Sequence, residues 1–149
     1  MRRVTVDSSV AVKWFLHEAG AREAEGLLDE WSQEAEVWAP EIIWVECANA
    51  ARHKIAAGEL TLAFALQLLR GFLAVEIRAV ACRDVSEEAL AIAVQTGLTT
   101  WDACYLAVAQ RTGAELWTAD RELWSRGRPF YSGIHLLTWP HTDDGEGET

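Results

Sequence analysis

Two rhythms of apolar and polar positions follow one another along the chain, and each change of rhythm marks the border of an element. Residues 3–6 (RVTV) alternate and are β-branched, which predicts a first strand; residues 8–16 then read as a helix, up to a break near Gly20. Over 21–33 the apolar residues Ala24, Leu27, Leu28 and Trp31 recur at helical offsets, with Gly26 weakening the pattern. Residues 36–40 (EVWAP) predict a second strand, and 41–57 a helix opened by Pro40 and Glu41 and stopped by Gly58. Another helix over 61–73 aligns Leu62, Leu66, Leu69 and Leu73, and 76–80 (EIRAV) predict the third strand. Ser86 is expected to cap a helix running to about residue 96. Gly97 stops it, Thr99 or Thr100 opens the next, and Gly113 ends that one. Residues 115–119 and 134–138 predict the last strands. No internal repeat is evident.

Strands separated by helices require right-handed crossovers and a parallel sheet covered on both faces. The fold class expected is therefore α/β, a three-layer α/β/α sandwich with a central parallel sheet. Ligands in such sheets gather beyond the carboxyl ends of the strands, near the point where strand order reverses.

Composition narrows the picture. With 149 residues, 50% hydrophobic and 24% charged, the chain supports one globular domain with a sizeable core, expected over 1–140. The last nine residues (141–149, HTDDGEGET) carry four acids and no large apolar side chain, and are expected to be a disordered acidic tail. No apolar run approaches a membrane span, and the start does not resemble a signal peptide, so a cytoplasmic location is expected. The three cysteines, Cys47, Cys82 and Cys104, lack CxxC spacing and read as small buried hydrophobes. His17 and Glu18 open like a zincin motif, but HEAGA has no second histidine, and His53, His135 and His141 have no partner at ligand spacing.

The formal charge of −10 argues against a nucleic-acid enzyme, because lysine and arginine usually supply that affinity. Without the tail the acids fall from 23 to 19 against 13 basic residues, leaving −6. Any RNA contact must then rely on local arginines or a bound cation.

Four acids stand out. Asp7, Asp102 and Asp120 each sit at or near a predicted helix start, where a carboxylate caps backbone N–H groups and suits the positive end of the dipole. Capping explains each one separately. It does not explain Glu46, which lies within a helix amid apolar neighbours. Asp7 follows the first strand and Asp120 the fourth, so both belong at the carboxyl edge; Asp102 and Glu46 sit in the early turns of helices able to face the same edge.

Set in VDSSVAVKWF, PEIIWVECANA, TTWDACYLAVA and LWTADREL, these acids resemble those of PIN-domain nucleases, most closely the VapC-type toxins of prokaryotic toxin–antitoxin pairs. The similarity runs from the first strand to about Trp139. It implies that Asp7, Glu46, Asp102 and Asp120 form the metal-binding and catalytic set, with Ser8, Asn49 and Thr118 as supporting polar residues. It also implies RNA as substrate, a homodimer, and an antitoxin that covers the acidic site. An apolar groove over 41–73 would serve such a partner.

Oxygen ligands favour hard ions, so Mg²⁺ or Mn²⁺ is the expected cofactor. The chemistry implied is metal-assisted hydrolysis of a phosphodiester, with no serine or histidine nucleophile. Ser8 and Ser9 read equally as caps or ligand contacts, Lys13 as a solvated lysine in preference to one facing the substrate, and Arg121, Arg126 and Arg128 equally as RNA contacts or a charged helix face. Most of the eight tryptophans are expected in the core or an interface. One alternative is a PIN-fold protein that binds metal or a partner without cutting RNA. Another, a phosphatase resembling the haloacid dehalogenases, needs DxD after the first strand, where this chain has DSS.

Overall fold

The computed structural model describes residues 1–140, so the expected acidic tail and His141 lie outside the described residues. The elements, in order, are β1 (Arg2–Val6), α1 (Ser8–Ala11), a 3-10 turn (Val12–Trp14), α2 (Ala21–Glu34), β2 (Ala35–Pro40), α3 (Ile42–Ala56) and α4 (Leu62–Leu73). They continue with β3 (Arg78–Val80), α5 (Cys82–Thr96), α6 (Thr100–Thr112), β4 (Glu115–Thr118), α7 (Arg121–Gly127) and β5 (Ile134–Leu136). All strand pairs are parallel, in the order β3-β2-β1-β4-β5. Helices cover both faces, giving the three-layer α/β/α sandwich expected. The chain builds outward from β1 through β2 to β3 and then returns to pair β4 with the other side of β1. The topological switch point therefore falls between β1 and β4.

The core explains why these segments hold. α6 packs against β1, β2 and β4, with α5 along it, and buries an unbroken run from Ala103 to Val108 and Ala109. Small residues such as Ala103, Ala107 and Ala109 let this helix lie close to the sheet, in keeping with a helix apolar on nearly every side. Trp31, Tyr105, Phe72, Ile43 and Leu106 are the largest fully buried side chains. Thr61 caps α4 by accepting from the Phe64 N–H at 3.2 Å, and Thr99 caps α6 by accepting from the Asp102 N–H at 3.2 Å. Gly97 and Gly113 end α5 and α6 at φ of 78° and 68°, the left-handed region that disfavours a Cβ.

Several borders differ from the sequence expectation, the last strand among them, which keeps only Ile134–Leu136 of the expected 134–138. The helix expected over 8–16 is a single α turn followed by the 3-10 turn, because the chain bends away after Trp14 toward Gly20. The fifth helix begins four residues before Ser86. The Ser86 hydroxyl donates to the Cys82 carbonyl at 2.7 Å, so that serine is satisfied inside the helix and is not its cap. The third strand keeps only Arg78–Val80 of the expected 76–80, as the part that pairs with Trp38–Pro40 of β2.

Candidate functional site

The parallel sheet brings the four singled-out acids to its carboxyl edge. Asp7 is the residue after β1, and Asp120 lies two residues past β4. Because α6 runs back antiparallel to β4, its first turn, with Asp102, starts at that edge; α3 leaves β2 from it and carries Glu46 in its second turn. Asp7 is 5% exposed, whereas Glu46, Asp102 and Asp120 are half-buried.

Asp7 is held from three directions. The Ser9 hydroxyl donates to Oδ1 at 2.6 Å, the Val10 N–H to the same oxygen at 3.3 Å, and the Thr118 hydroxyl to Oδ2 at 2.6 Å. Ser9 Oγ accepts from the Ala119 N–H at 2.8 Å and Thr118 Oγ1 from the Asp120 N–H at 2.9 Å. These bonds stitch the end of β1 to the end of β4 across the switch point. Asp120 then caps α7, its Oδ1 accepting from the Glu122 and Leu123 N–H groups at 2.9 and 3.4 Å. On the far side, the Tyr105 hydroxyl donates to Glu46 Oε1 in a hydrogen bond that joins α6 to α3.

The electrostatics link all four acids. Burial pushes the Asp7 carboxyl up to about 7; the bonds from Ser9, Thr118 and the Val10 N–H oppose the rise, and the charge of Asp120 adds to it. Glu46 is raised by burial, opposed by the Tyr105 bond, with the charge of Asp102 adding to the shift. Asp102 is raised by burial and then by Asp120. The repulsions thus form a chain from Asp7 through Asp120 and Asp102 to Glu46. Clustered carboxylates that disfavour one another's ionisation suit a hard divalent cation, which relieves both desolvation and repulsion. Among the described residues no three acids converge into a ready-made ligand group. The four acids thus share one edge of the sheet without closing into a single coordination shell.

The other expected residues fall unevenly. Thr118 is fully buried and bonded to Asp7, as its supporting role requires. Ser8 opens α1 and, among the described residues, makes no side-chain hydrogen bond; its neighbour Ser9 takes that place. Asn49 is exposed and meets His53 one turn along α3 at 3.4 Å, with no bond to Glu46. Lys13 is not solvated but 5% exposed. Its Nζ donates to Glu18 at 3.0 Å and to the Ala19 carbonyl at 2.7 Å, and lies 4.6 Å from the centre of the Trp139 ring.

Arg126 pairs with Glu122 at 3.1 Å, and the Arg128 guanidinium lies 4.3 Å over Trp124. Cys47 and Cys104 are buried, and burial raises both thiols, Cys104 to about 11, so neither is a ready nucleophile. Trp101, just before Asp102, is the exception to the expected burial of tryptophans, at 63% exposed.

Sequence reasoning passed over Tyr105 and Trp139. Tyr105 lies three residues after Asp102 and so on the same helical face, the one signal that pointed to it. A depression of about 320 Å³ opens beside Asp120, lined by Ser9, Lys13, Glu18 and Trp139 among others. A second hollow of about 330 Å³, lined by Met1, Trp31, Glu36 and Arg78, lies at the opposite edge of the sheet, remote from the acids.

No helix among the described residues is long and apolar enough to cross a membrane. The chain is similar to Ribonuclease VapC3 of Pyrobaculum aerophilum, 28% identical over 125 residues that cover 81% of this chain and 92% of that protein. Its fold is similar to the crystal structure of PAE2754 from the same organism, with a TM-score of 0.66 at 25% identity over 91% of this chain and 92% of that one. A toxin–antitoxin complex from Klebsiella pneumoniae shares the fold, with a TM-score of 0.60 at 21% identity over 91% of this chain and 98% of that one. The PIN domain family matches residues 4–127, from the first strand through the last helix, and with it every acid of the carboxyl edge. The chain belongs to the PIN domain family.

Proposed function

We propose that this protein is a metal-dependent endoribonuclease, the toxin of a toxin–antitoxin pair, and that Asp7, Glu46, Asp102 and Asp120 hold Mg²⁺ or Mn²⁺. The observation that carries it is the gathering of four acids at the switch point, where Asp7 is almost wholly buried and burial with neighbouring carboxylate charge raises Asp7, Glu46 and Asp102. Its similarity to a VapC ribonuclease supports the choice of RNA. A divalent ion bound there supplies Lewis-acid activation of water and offsets charge building on the leaving oxygen of a phosphodiester.

The chain's own residues fix the stage for this chemistry. Ser9 and Thr118 donate to both oxygens of Asp7, which sets the plane of its carboxylate and leaves it little rotational freedom. The α7 cap orients Asp120 by engaging one of its oxygens. The carboxylates left ionised provide an acceptor for the proton of the attacking water. Net acidity leaves little nonspecific affinity for a polyanion, so the substrate range is narrow.

The partners belong to the same proposal. Val45, Leu62, Phe64, Leu66 and Leu73, on α3 and α4, are large, apolar and between 39% and 66% exposed, more than isolated surface positions need. They offer the apolar surface that an antitoxin segment or a second copy of the chain would cover. A cytoplasmic setting accompanies this role.

The deciding experiment measures Mn²⁺ binding by calorimetry and cleavage of total RNA, for the wild type and Asp102→Asn. Binding and EDTA-sensitive cleavage, both lost in the variant while its thermal unfolding in EDTA stays near wild type, are the expected results. Cleavage by Asp102→Asn at the wild-type rate would refute the site. Metal binding without cleavage of any RNA would favour a PIN-fold binding protein instead.

A further inference from the structure

One contact at the acidic edge that no catalytic role yet uses is the one between Tyr105 and Glu46. Fifty-nine residues separate them in sequence, yet the phenol hydroxyl donates directly to Glu46 Oε1. Tyr105 is 1% exposed and its hydroxyl makes no other hydrogen bond among the described residues, so the bond is its whole polar satisfaction. Glu46, in turn, is half-buried on α3 with no other hydrogen-bond partner among the described residues. A glutamate has three side-chain torsions, and a half-buried one left free swings toward water. Asp7 is locked by two hydroxyls and Asp120 by its helix cap, but Glu46 has only this phenol to aim it.

The location adds a second reason. Tyr105 lies one turn after Asp102 on α6, so the same helix carries one acid and steers another on the facing helix. We propose that Tyr105 is a positioning residue for the metal centre, its hydroxyl holding the Glu46 carboxylate toward the ion shared with Asp102. This rests on the metal-dependent nuclease assignment above. The hydroxyl acts on the ligand from outside the coordination shell, the kind of support whose loss typically weakens metal binding by 10- to 100-fold.

The test compares wild type, Tyr105→Phe, Glu46→Gln and the double variant. Mn²⁺ affinity is read by calorimetry, unfolding in EDTA by calorimetric melting, and RNA cleavage as kcat and KM at low and high Mn²⁺. Tyr105→Phe keeps the ring and the packing of α6. The expected result is a Mn²⁺ affinity about tenfold weaker, a melting temperature in EDTA close to wild type, an unchanged KM for RNA, and kcat restored by high Mn²⁺. In the Glu46→Gln background the same change should add almost nothing, since the ligand it steers is already impaired.

Several results would overturn the role. Equal Mn²⁺ affinity in wild type and Tyr105→Phe would do so, as would full additivity with Glu46→Gln. Collapse of the Tyr105→Phe variant in EDTA would make the phenol purely structural. Absence of Mn²⁺ binding by the wild type itself would instead remove the metal assignment, and the positioning role with it.

Discussion

Asp7 concentrates the physical tension of the molecule. It is buried to 5% exposure, satisfied by two hydroxyls and an N–H, and its carboxyl rises to about 7 from an ordinary value of 3.8. A group whose folded pKa is raised adds stability that is complete below the unfolded value and is lost as pH climbs through the folded one. Metal-free wild type should therefore lose stability relative to Asp7→Asn between about pH 4 and pH 7, by at most roughly 4 kcal/mol. Thermal melts of both proteins in EDTA across that range check this. A wild type that gained stability relative to the variant on going to pH 8 would show the opposite linkage. Mn²⁺ should bind more tightly as pH rises through 7, because the cation displaces the proton that Asp7 otherwise keeps. Asp7→Asn should abolish cleavage while leaving the fold intact.

At the scale of elements, the segment between the 3-10 turn and α2 anchors the strap that follows β5. Gly20 adopts φ of 86°, and a methyl placed on it would meet Trp139 Cε3 at 2.6 Å, so glycine is required there for both conformation and space. Gly58, after α3, has a similar φ of 77° but open space around it. Gly58→Ala should cost about 1 kcal/mol from backbone strain alone. Gly20→Ala should cost clearly more, because it also displaces the indole from Lys13. Urea unfolding of the two variants separates the contributions, and equal losses would show that the Trp139 contact contributes nothing.

Across the whole molecule, α4 shows two uses of one residue type. Phe72 is 1% exposed and stacks on Phe15 with ring centres 4.9 Å apart, whereas Phe64, two turns earlier, is 50% exposed. Phe72→Ala should cost about 3–5 kcal/mol of folding stability. Phe64→Ala should fall within about 0.5 kcal/mol in dilute monomer, as surface changes do. If α4 docks a partner or a second copy, Phe64→Ala also reduces association measured by sedimentation, which Phe72→Ala cannot do without unfolding. The acidic edge and the apolar α3–α4 surface are then two separable properties of one fold.

Much of this architecture is legible in local sequence, because it rests on local physics. Strand and helix periods, the Thr99 cap and the stops at Gly97 and Gly113 depend on a few consecutive residues. The alternation of strands and helices alone implies a parallel sheet, and a parallel sheet places Asp7 and Asp120 at one edge. Tertiary structure decided what distant segments do to one another. The strand order put β4 beside β1, which let Ser9, and not Ser8, complete the Asp7 network across 110 residues to Ala119. Packing also turned Lys13 from an expected solvated residue into a buried one, because Glu18 and Trp139 close over it. The bond from Tyr105 to Glu46 exists only where α6 meets α3. Such contacts depend on which surfaces bury one another, a property of the folded whole that no window of consecutive residues contains.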